Sequence, residues 1–269
     1  MKIGRWKERR PKDEEGRMTL REHITELRNR LVKAILAIVL GAVAGWIYFD
    51  PLLDILRHPF ETSIGDLLRA KGEEPKLTFT NVTDPFTFRI KIALVFGVIL
   101  AAPVWLYQLW AFIVPGLHRT ERKWTMLFAA IATPLFGAGI AVAYWTLPKG
   151  LEILIGFTPE AVQNLIALPD YLNFVLRTLL VFGIAFLIPL VVVLLNLLGV
   201  VPATALAKFR PYTIIIIFVF GAVATPSGDP FSLMFLAVPM CVLYFAAEII
   251  ARIVDKRRAK KLEEDLAAD

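Results

Sequence analysis

The residues best placed to do chemistry in this chain of 269 residues are two carboxylates, each set among basic side chains at the rim of an apolar run. The first is Glu26, in His23-Ile-Thr-Glu26-Leu-Arg28-Asn-Arg30-Leu31, which leads straight into a long apolar stretch. The second is Glu121, in Leu117-His-Arg119-Thr-Glu121-Arg122-Lys123, between two later stretches. Read singly, Glu26 is half of an i,i+4 surface pair with Arg30, and Glu121 pairs with a neighbouring arginine in a turn. Read together, they are two carboxylates at one water–lipid boundary, suited to capturing a paired positive charge. Guanidinium groups bind carboxylates through charge-assisted, often bidentate hydrogen bonds, and these strengthen beside low-dielectric lipid.

The elements that must position these groups are membrane spans. The chain is 57% hydrophobic with a mean hydropathy of +0.62, the composition of a membrane protein. Residues 1–18 are polar and charged and read as a disordered tail. Thr19-Leu-Arg-Glu22 fits a capping box that opens span one, which runs apolar to about Phe49 and stops at Asp50-Pro51. A polar segment, 50–88, follows, with amphipathic helix expected in its middle, about 51–70. Span two covers about Arg89–Val114 and contains Pro103. Span three covers about Trp124–Leu147, a mixed loop covers 148–170, and span four covers about Tyr171–Leu198. A loop at 199–210 precedes span five, Tyr212–Ala224, whose 13 residues reach only about 20 Å. Span six runs from Phe231 to about Ile250 and a basic and acidic tail, 253–269, closes the chain. The expected fold is therefore an all-α polytopic membrane protein: six spans, the last two short, forming one domain over 19–252. Pro103, Pro134, Pro189 and Pro239 lie within spans and are expected to kink them into a concave bundle.

Lysine and arginine are distributed unevenly. One side of the predicted topology carries 22 of them and the opposite loops 5, which places both termini in the cytoplasm. The net charge of +6 is thus a topology signal and not a nucleic-acid footprint. Cys241, the single cysteine, lies in an apolar run, so neither a disulfide nor a thiolate metal site is expected. There is no H-E-x-x-H, no G-x-S-x-G and no glycine-rich phosphate loop, so no enzyme, metal or cofactor is expected. Arg9-Arg10 is not read as an export signal, because an acidic stretch separates it from a distant apolar run. Gly41-Ala-Val-Ala-Gly45 permits close helix approach, either within the chain or in assembly.

Taken together, these pieces resemble the TatC family, the multispanning subunit of the twin-arginine protein translocase, over about residues 18–252. The first collar is similar to the family's His-Leu-x-Glu-Leu-Arg-x-Arg-Leu motif. Ala102-Pro103 through Phe112, Pro115-Gly and Glu121-Arg-Lys123 resembles its second-span signature and following loop. Asp84-Pro85-Phe86, Phe182-Gly through Pro189, and Thr225-Pro-Ser-Gly-Asp229 resemble three further motifs, in order.

The resemblance implies a receptor for the twin-arginine signal peptides of folded precursors. It would work with TatA- and TatB-type single-span subunits in a multimeric complex, in a bacterial cytoplasmic membrane, driven by the proton-motive force. Glu26 and Glu121 would bind the two signal arginines. His23, Arg28 and Arg30 would shape the first collar, and Pro103 and Phe112 the recognition face, with Pro59, Pro85, Phe86 and Asp229 in functional loops and turns. Two positions depart from the family pattern. Leu187 stands where a glutamate is common in span four, and Phe245 where one is common in span six, with Glu248 three residues on, close to the same helical face. The rival reading is a six-span solute transporter or channel; against it, the spans lack a solute-sized set of buried charges, and Arg177, the one clear candidate well inside a span, is also placed to snorkel from near the outer end of span four. A third is an assembly scaffold that binds partner helices without recognising arginine-bearing peptides.

Overall fold

The structure is a computed structural model that describes residues 20–70, 77–79, 81–113, 122–159, 166–197, 199–225 and 229–268. It is built from eight helices among these residues: α1 (Leu20–Ile47), α2 (Phe49–Ala70), α3 (Asp84–Leu100), α4 (Ala102–Ile113), α5 (Arg122–Gly156), α6 (Leu168–Leu197), α7 (Ala203–Ala224) and α8 (Pro230–Ala268). Two short strands, β1 (Leu77–Thr78) and β2 (Ile166–Ala167), pair in parallel. Five of the helices are long and apolar enough to cross a membrane, and α3 with α4 makes a sixth crossing as a bent pair. The expected all-α, six-span fold therefore holds. The tail expected at 1–18 lies outside the described residues.

Helix α6 is the axis of the bundle. Its span is the most apolar in the chain, and 56% of its most apolar window is buried, against 17% for α1. A helix that is apolar on every face is one that neighbours surround. Tyr171, Leu172, Val175, Leu179 and Phe182 from α6 pack with Leu147 and Leu151 of α5 and Leu236, Met240 and Tyr244 of α8. A second cluster joins α6 to the bent pair through Leu106, Trp110, Phe136, Leu187, Leu190 and Leu194.

Helix α1 is attached by a seam of small residues. A Cβ on Gly41 would sit 2.9 Å from the Gly97 backbone of α3, and one on Gly45 would sit 3.0 Å from Ala93. The Gly41/Gly45 pattern is therefore an internal contact, with backbones close enough that no side chain fits between them.

Several expected boundaries move. Span one ends at Ile47, two residues before the expected Phe49, and Asp50-Pro51 falls in the first turn of a new helix, α2. The amphipathic expectation at 51–70 is met by one continuous helix, whose Leu56, Phe60 and Ile64 recur one turn apart and are buried. Pro59 sits inside it. Lacking an N–H, it leaves the Ile55 carbonyl without its helical donor. That carbonyl instead accepts the Tyr144 hydroxyl of α5 at 2.9 Å, and the Tyr171 hydroxyl of α6 bonds the next carbonyl, Leu56, at 2.9 Å. Pro59 thus converts a missing helical bond into an anchor for α2.

Pro134, Pro189 and Pro239 sit inside uninterrupted helices. Only near Pro103, among the prolines expected to kink spans, does the helix divide, by 59° between α3 and α4. The loop expected at 148–170 is helical to Gly156, and α7 begins at Ala203, so the loop expected at 199–210 shrinks to 199–202. The last two helices are consequently not short as helices. What is short is the charge-free part of α7, from Pro211 onward. The tail at 253–268 continues α8 as helix.

Candidate functional site

Of the expected recognition residues, His23 and Phe112 meet where α1 packs on α4. The collar is the first part of α1, so His23, Glu26 and Arg30 follow one another at helical spacing on a single face. Phe112 comes from the last turn of α4. The rings of His23 and Phe112 stack at 4.6 Å between centroids, inclined by 23°. The two motifs, read from distant parts of the sequence, thus meet in one aromatic contact.

Beside it, Glu26 holds a guanidinium. Arg30 donates Nε to Glu26 Oε1 at 3.0 Å and Nη2 to the same oxygen at 2.5 Å. Both side chains are about three-quarters buried, at 24% and 23% exposure. Oε2 of Glu26 accepts no hydrogen bond among the described residues. The i,i+4 pair of the simpler reading is therefore real, and among the described residues it is made through Oε1 alone. Arg28 is exposed and, two residues from each of Glu26 and Arg30, lies on the other side of α1 by helical spacing. Glu121 lies outside the described residues. In the sequence it immediately precedes α5.

Pro103 is exposed at the start of α4 and acts through the backbone. At the break the N–H groups of Val104 and Trp105 both turn to the Ala101 carbonyl, at 2.9 and 3.0 Å. Interior carbonyls of α3 then need other donors, and the Trp105 indole N–H reaches back to Val98 O at 2.9 Å. In hydrocarbon an unpaired carbonyl is expensive, so this side chain is part of what makes the bend possible. Trp105 also stands edge-on to Phe136 of α5, with centroids 5.6 Å apart. The sequence pattern had no marker for this role beyond a tryptophan two residues after a proline.

The loop and turn residues have structural roles. Pro85 occupies the first turn of α3, where no N–H is required. Phe86 meets Trp46 edge-on at 6.4 Å, and Arg89 lies 4.8 Å from the rings of both Trp46 and Phe49. Asp229 is the N-cap of α8: its Oδ1 accepts the Ser232 N–H at 2.7 Å, with Pro230 at the first helical position.

The two departures are accommodated differently. Leu187 is buried in the apolar cluster around Leu106 and Trp110. The Trp110 indole N–H is buried with no acceptor among the described residues. Phe245 is half-exposed and lies 5.5 Å below the Arg210 guanidinium. Glu248 does not replace it in the open. It is buried and paired with Arg210 and Arg252.

A further polar network was not foreseen. Asn196, fully buried near the end of α6, donates to Val201 O and to Asp255 Oδ1, each at 3.0 Å. Asp255 Oδ2 accepts the first N–H of α7, from Ala203, at 2.7 Å. Arg258 donates to the Asn196 carbonyl at 3.2 Å and to the Leu197 carbonyl. The distal part of α8 therefore caps the C-terminus of α6 and the N-terminus of α7 together, an anion at one and a cation at the other, as their dipoles favour. A lone asparagine in an apolar run was the available signal.

Arg177 is exposed on α6, so the charge that most favoured a solute pathway does not line an interior. No group of three or more His, Cys, Asp or Glu residues that could hold a metal occurs among the described residues.

Comparison with known proteins gives a consistent result. Residues 22–239 match the family described as TatC, Sec-independent protein translocase protein. The Sec-independent protein translocase protein TatC of Frankia casuarinae is 40% identical over 264 residues, covering 95% of this chain and 71% of that one. Its counterpart in Xylanimonas cellulosilytica is 38% identical, covering 91% and 87%. Among solved structures, a crystal structure of the twin arginine translocase receptor TatC in DDM superposes with a TM-score of 0.73 at 33% identity, covering 86% of this chain and 99% of that one. The small-solute reading finds no support in these matches. With the six crossings and the paired α1–α4 collar already in place, they establish that the chain belongs to the TatC family and is the multispanning core subunit of a Sec-independent protein translocase.

Proposed function

We propose that the protein is the receptor for twin-arginine signal peptides, and that the α1–α4 face, with Glu26 and Glu121, binds the two arginines. The observation that carries this reading is the state of Glu26. It sits partly buried, already binds one guanidinium through Oε1, and keeps Oε2 without a partner among the described residues. A site that seats Arg30 in this way has the chemistry to seat a signal arginine, either on the free oxygen or by exchange with Arg30. The His23–Phe112 stack joins the first collar on α1 to the last turn of α4.

The surrounding functional picture is part of the same proposal, and family membership supports it. The protein sits in the bacterial cytoplasmic membrane with both termini in the cytoplasm, consistent with the lysine and arginine asymmetry. It works with TatA- and TatB-type single-span subunits to move folded precursors across the membrane on the proton-motive force, without catalysing a covalent step. The test is binding of a signal peptide to the purified protein in nanodiscs. An Arg-Arg peptide should bind more tightly than its Lys-Lys version, and Glu26→Gln with Glu121→Gln should abolish that preference. An unchanged preference in the double variant refutes the carboxylate site.

A further inference from the structure

Helices α7 and α8 change from apolar to charged at the same level. The charge-free stretch of α7 begins directly after Arg210, and that of α8 ends directly before Glu248. Arg210 and Glu248 are paired, so the two helices run antiparallel and their charged rims coincide. Phe209 and Tyr212 are exposed at that rim, with ring centroids 6.2 Å apart. Exposed aromatic rings beside arginines, immediately outside a charge-free stretch, mark the headgroup level of a bilayer.

At this rim one carboxylate is shared by two guanidinium groups. Arg210 donates Nε to Glu248 Oε2 at 3.1 Å and Nη2 to Oε1 at 2.7 Å, while Arg252 donates Nη2 to the same Oε1 at 2.5 Å. The carboxylate is buried, but the arginine side chains are 40% and 58% exposed. Glu248 draws together two cations that would otherwise repel, and it neutralises only one of them. The cluster therefore keeps a net positive charge on its outer side, with guanidinium N–H groups that Glu248 does not use. Phe245 closes one face of the Arg210 guanidinium at 5.5 Å. Below the cluster, Val242, Phe245 and Ile249 form an exposed apolar stripe along α8 that ends at Arg252.

We propose that Arg210, Glu248 and Arg252 form a binding site for the phosphodiester headgroup of an anionic glycerophospholipid, with an acyl chain lying along Val242, Phe245 and Ile249. Three features select this ligand. A single negative charge balances the surplus. Planar guanidinium forks match phosphate oxygens. The apolar stripe adjoins the cationic end at the depth where headgroup and chain meet. A zwitterionic headgroup would bring its own cation to a cluster that is already positive. This site is separate from the α1–α4 face and does not depend on the receptor reading.

The test uses the full-length protein in detergent, with thermal unfolding followed on addition of phosphatidylglycerol, phosphatidylcholine or glycerol phosphate. Retention of phosphatidylglycerol is read in parallel by native mass spectrometry. Phosphatidylglycerol should raise the unfolding midpoint more than phosphatidylcholine. Arg252→Gln should weaken that response about tenfold in lipid concentration, the loss expected for one charge-assisted contact. This variant leaves the Arg210–Glu248 pair intact, so its lipid-free midpoint reports folding separately. Lys260→Gln, an equal charge change further along α8, should respond like the unmodified protein. Equal losses in both variants would reduce the effect to general electrostatics and overturn the site. So would equal responses to the two lipids, and an equal response to glycerol phosphate would overturn the lipid assignment.

Discussion

Replacing Gly97 by alanine should detach α1 from the bundle and, with it, the recognition face. An added Cβ would lie 2.6 Å from both the Ala42 nitrogen and the Ile38 oxygen of α1. These are backbone atoms, so no rotamer change relieves the clash. Restoring ordinary van der Waals contact requires the two helices to part by about 1 Å, at a typical overpacking cost of about 1–3 kcal/mol. That corresponds to roughly a five- to 150-fold loss in the docked population. Apart from this seam, α1 is held at its ends, by the His23–Phe112 stack and by the contacts of Trp46 with Phe86 and Arg89, and little of its span is buried. Gly137 is the matched control, since a Cβ there meets nothing within 4 Å. Gly137→Ala should therefore be neutral or slightly stabilising through helix propensity. The assays are the thermal midpoint in detergent and cross-linking between thiols placed at positions 23 and 112 in a Cys241→Ala background. Gly97→Ala should lower both. If its midpoint and cross-linking yield matched those of Gly137→Ala, the small-residue seam would not be what holds α1.

Other consequences can be checked in the same preparations. Trp105→Phe leaves the Val98 carbonyl without its indole donor and should cost about 1–3 kcal/mol in thermal stability, whereas Trp110→Phe removes an N–H with no acceptor among the described residues and should cost less. Asp255→Ala uncaps α7 and deprives Asn196 of a partner; it should lower the midpoint by the equivalent of about 1–2 kcal/mol and increase protease cutting in the turn at 199–202. Glu248→Gln should destabilise more than any single exposed-charge change. Its cost should fall toward the lower end of the roughly 3–5 kcal/mol seen for a broken buried pair, because both arginines are partly exposed and can be hydrated.

The sequence made the crossings legible because each is a sustained apolar run, and it made α2 legible through the spacing of Leu56, Phe60 and Ile64. It misplaced the start of α7 for a specific reason. Lys208 and Arg210 interrupt the apolar run, and hydropathy registers charge, not backbone conformation. What makes 203–210 helical is supplied from α8, by Asp255 at the Ala203 N–H and Glu248 at Arg210. The pairing of Leu77 with Ile166 was invisible, since two residues have no periodicity and the partner is far along the chain. Four prolines in spans looked equivalent, yet the division occurs near Pro103, where Trp105 can donate across it. At the collar, the residue types were readable and the His23–Phe112 contact was not, because it depends on how α4 is aimed after the bend.

The capping of α7 by α8 also bears on how the protein is made. Ala203 and Arg210 leave the ribosome well before their partners, Asp255 and Glu248, which follow 52 and 38 residues later. At a synthesis rate of about 5–20 residues per second, α7 waits some seconds with its first N–H uncapped and its arginine unpaired at the membrane rim. During that interval α7 lacks the two contacts that tie its start to α8. The start of α7 is tied to its partner helix only once Glu248 and Asp255 have emerged, so a chain truncated before Asp255 should lose the placement of a segment completed some thirty residues earlier.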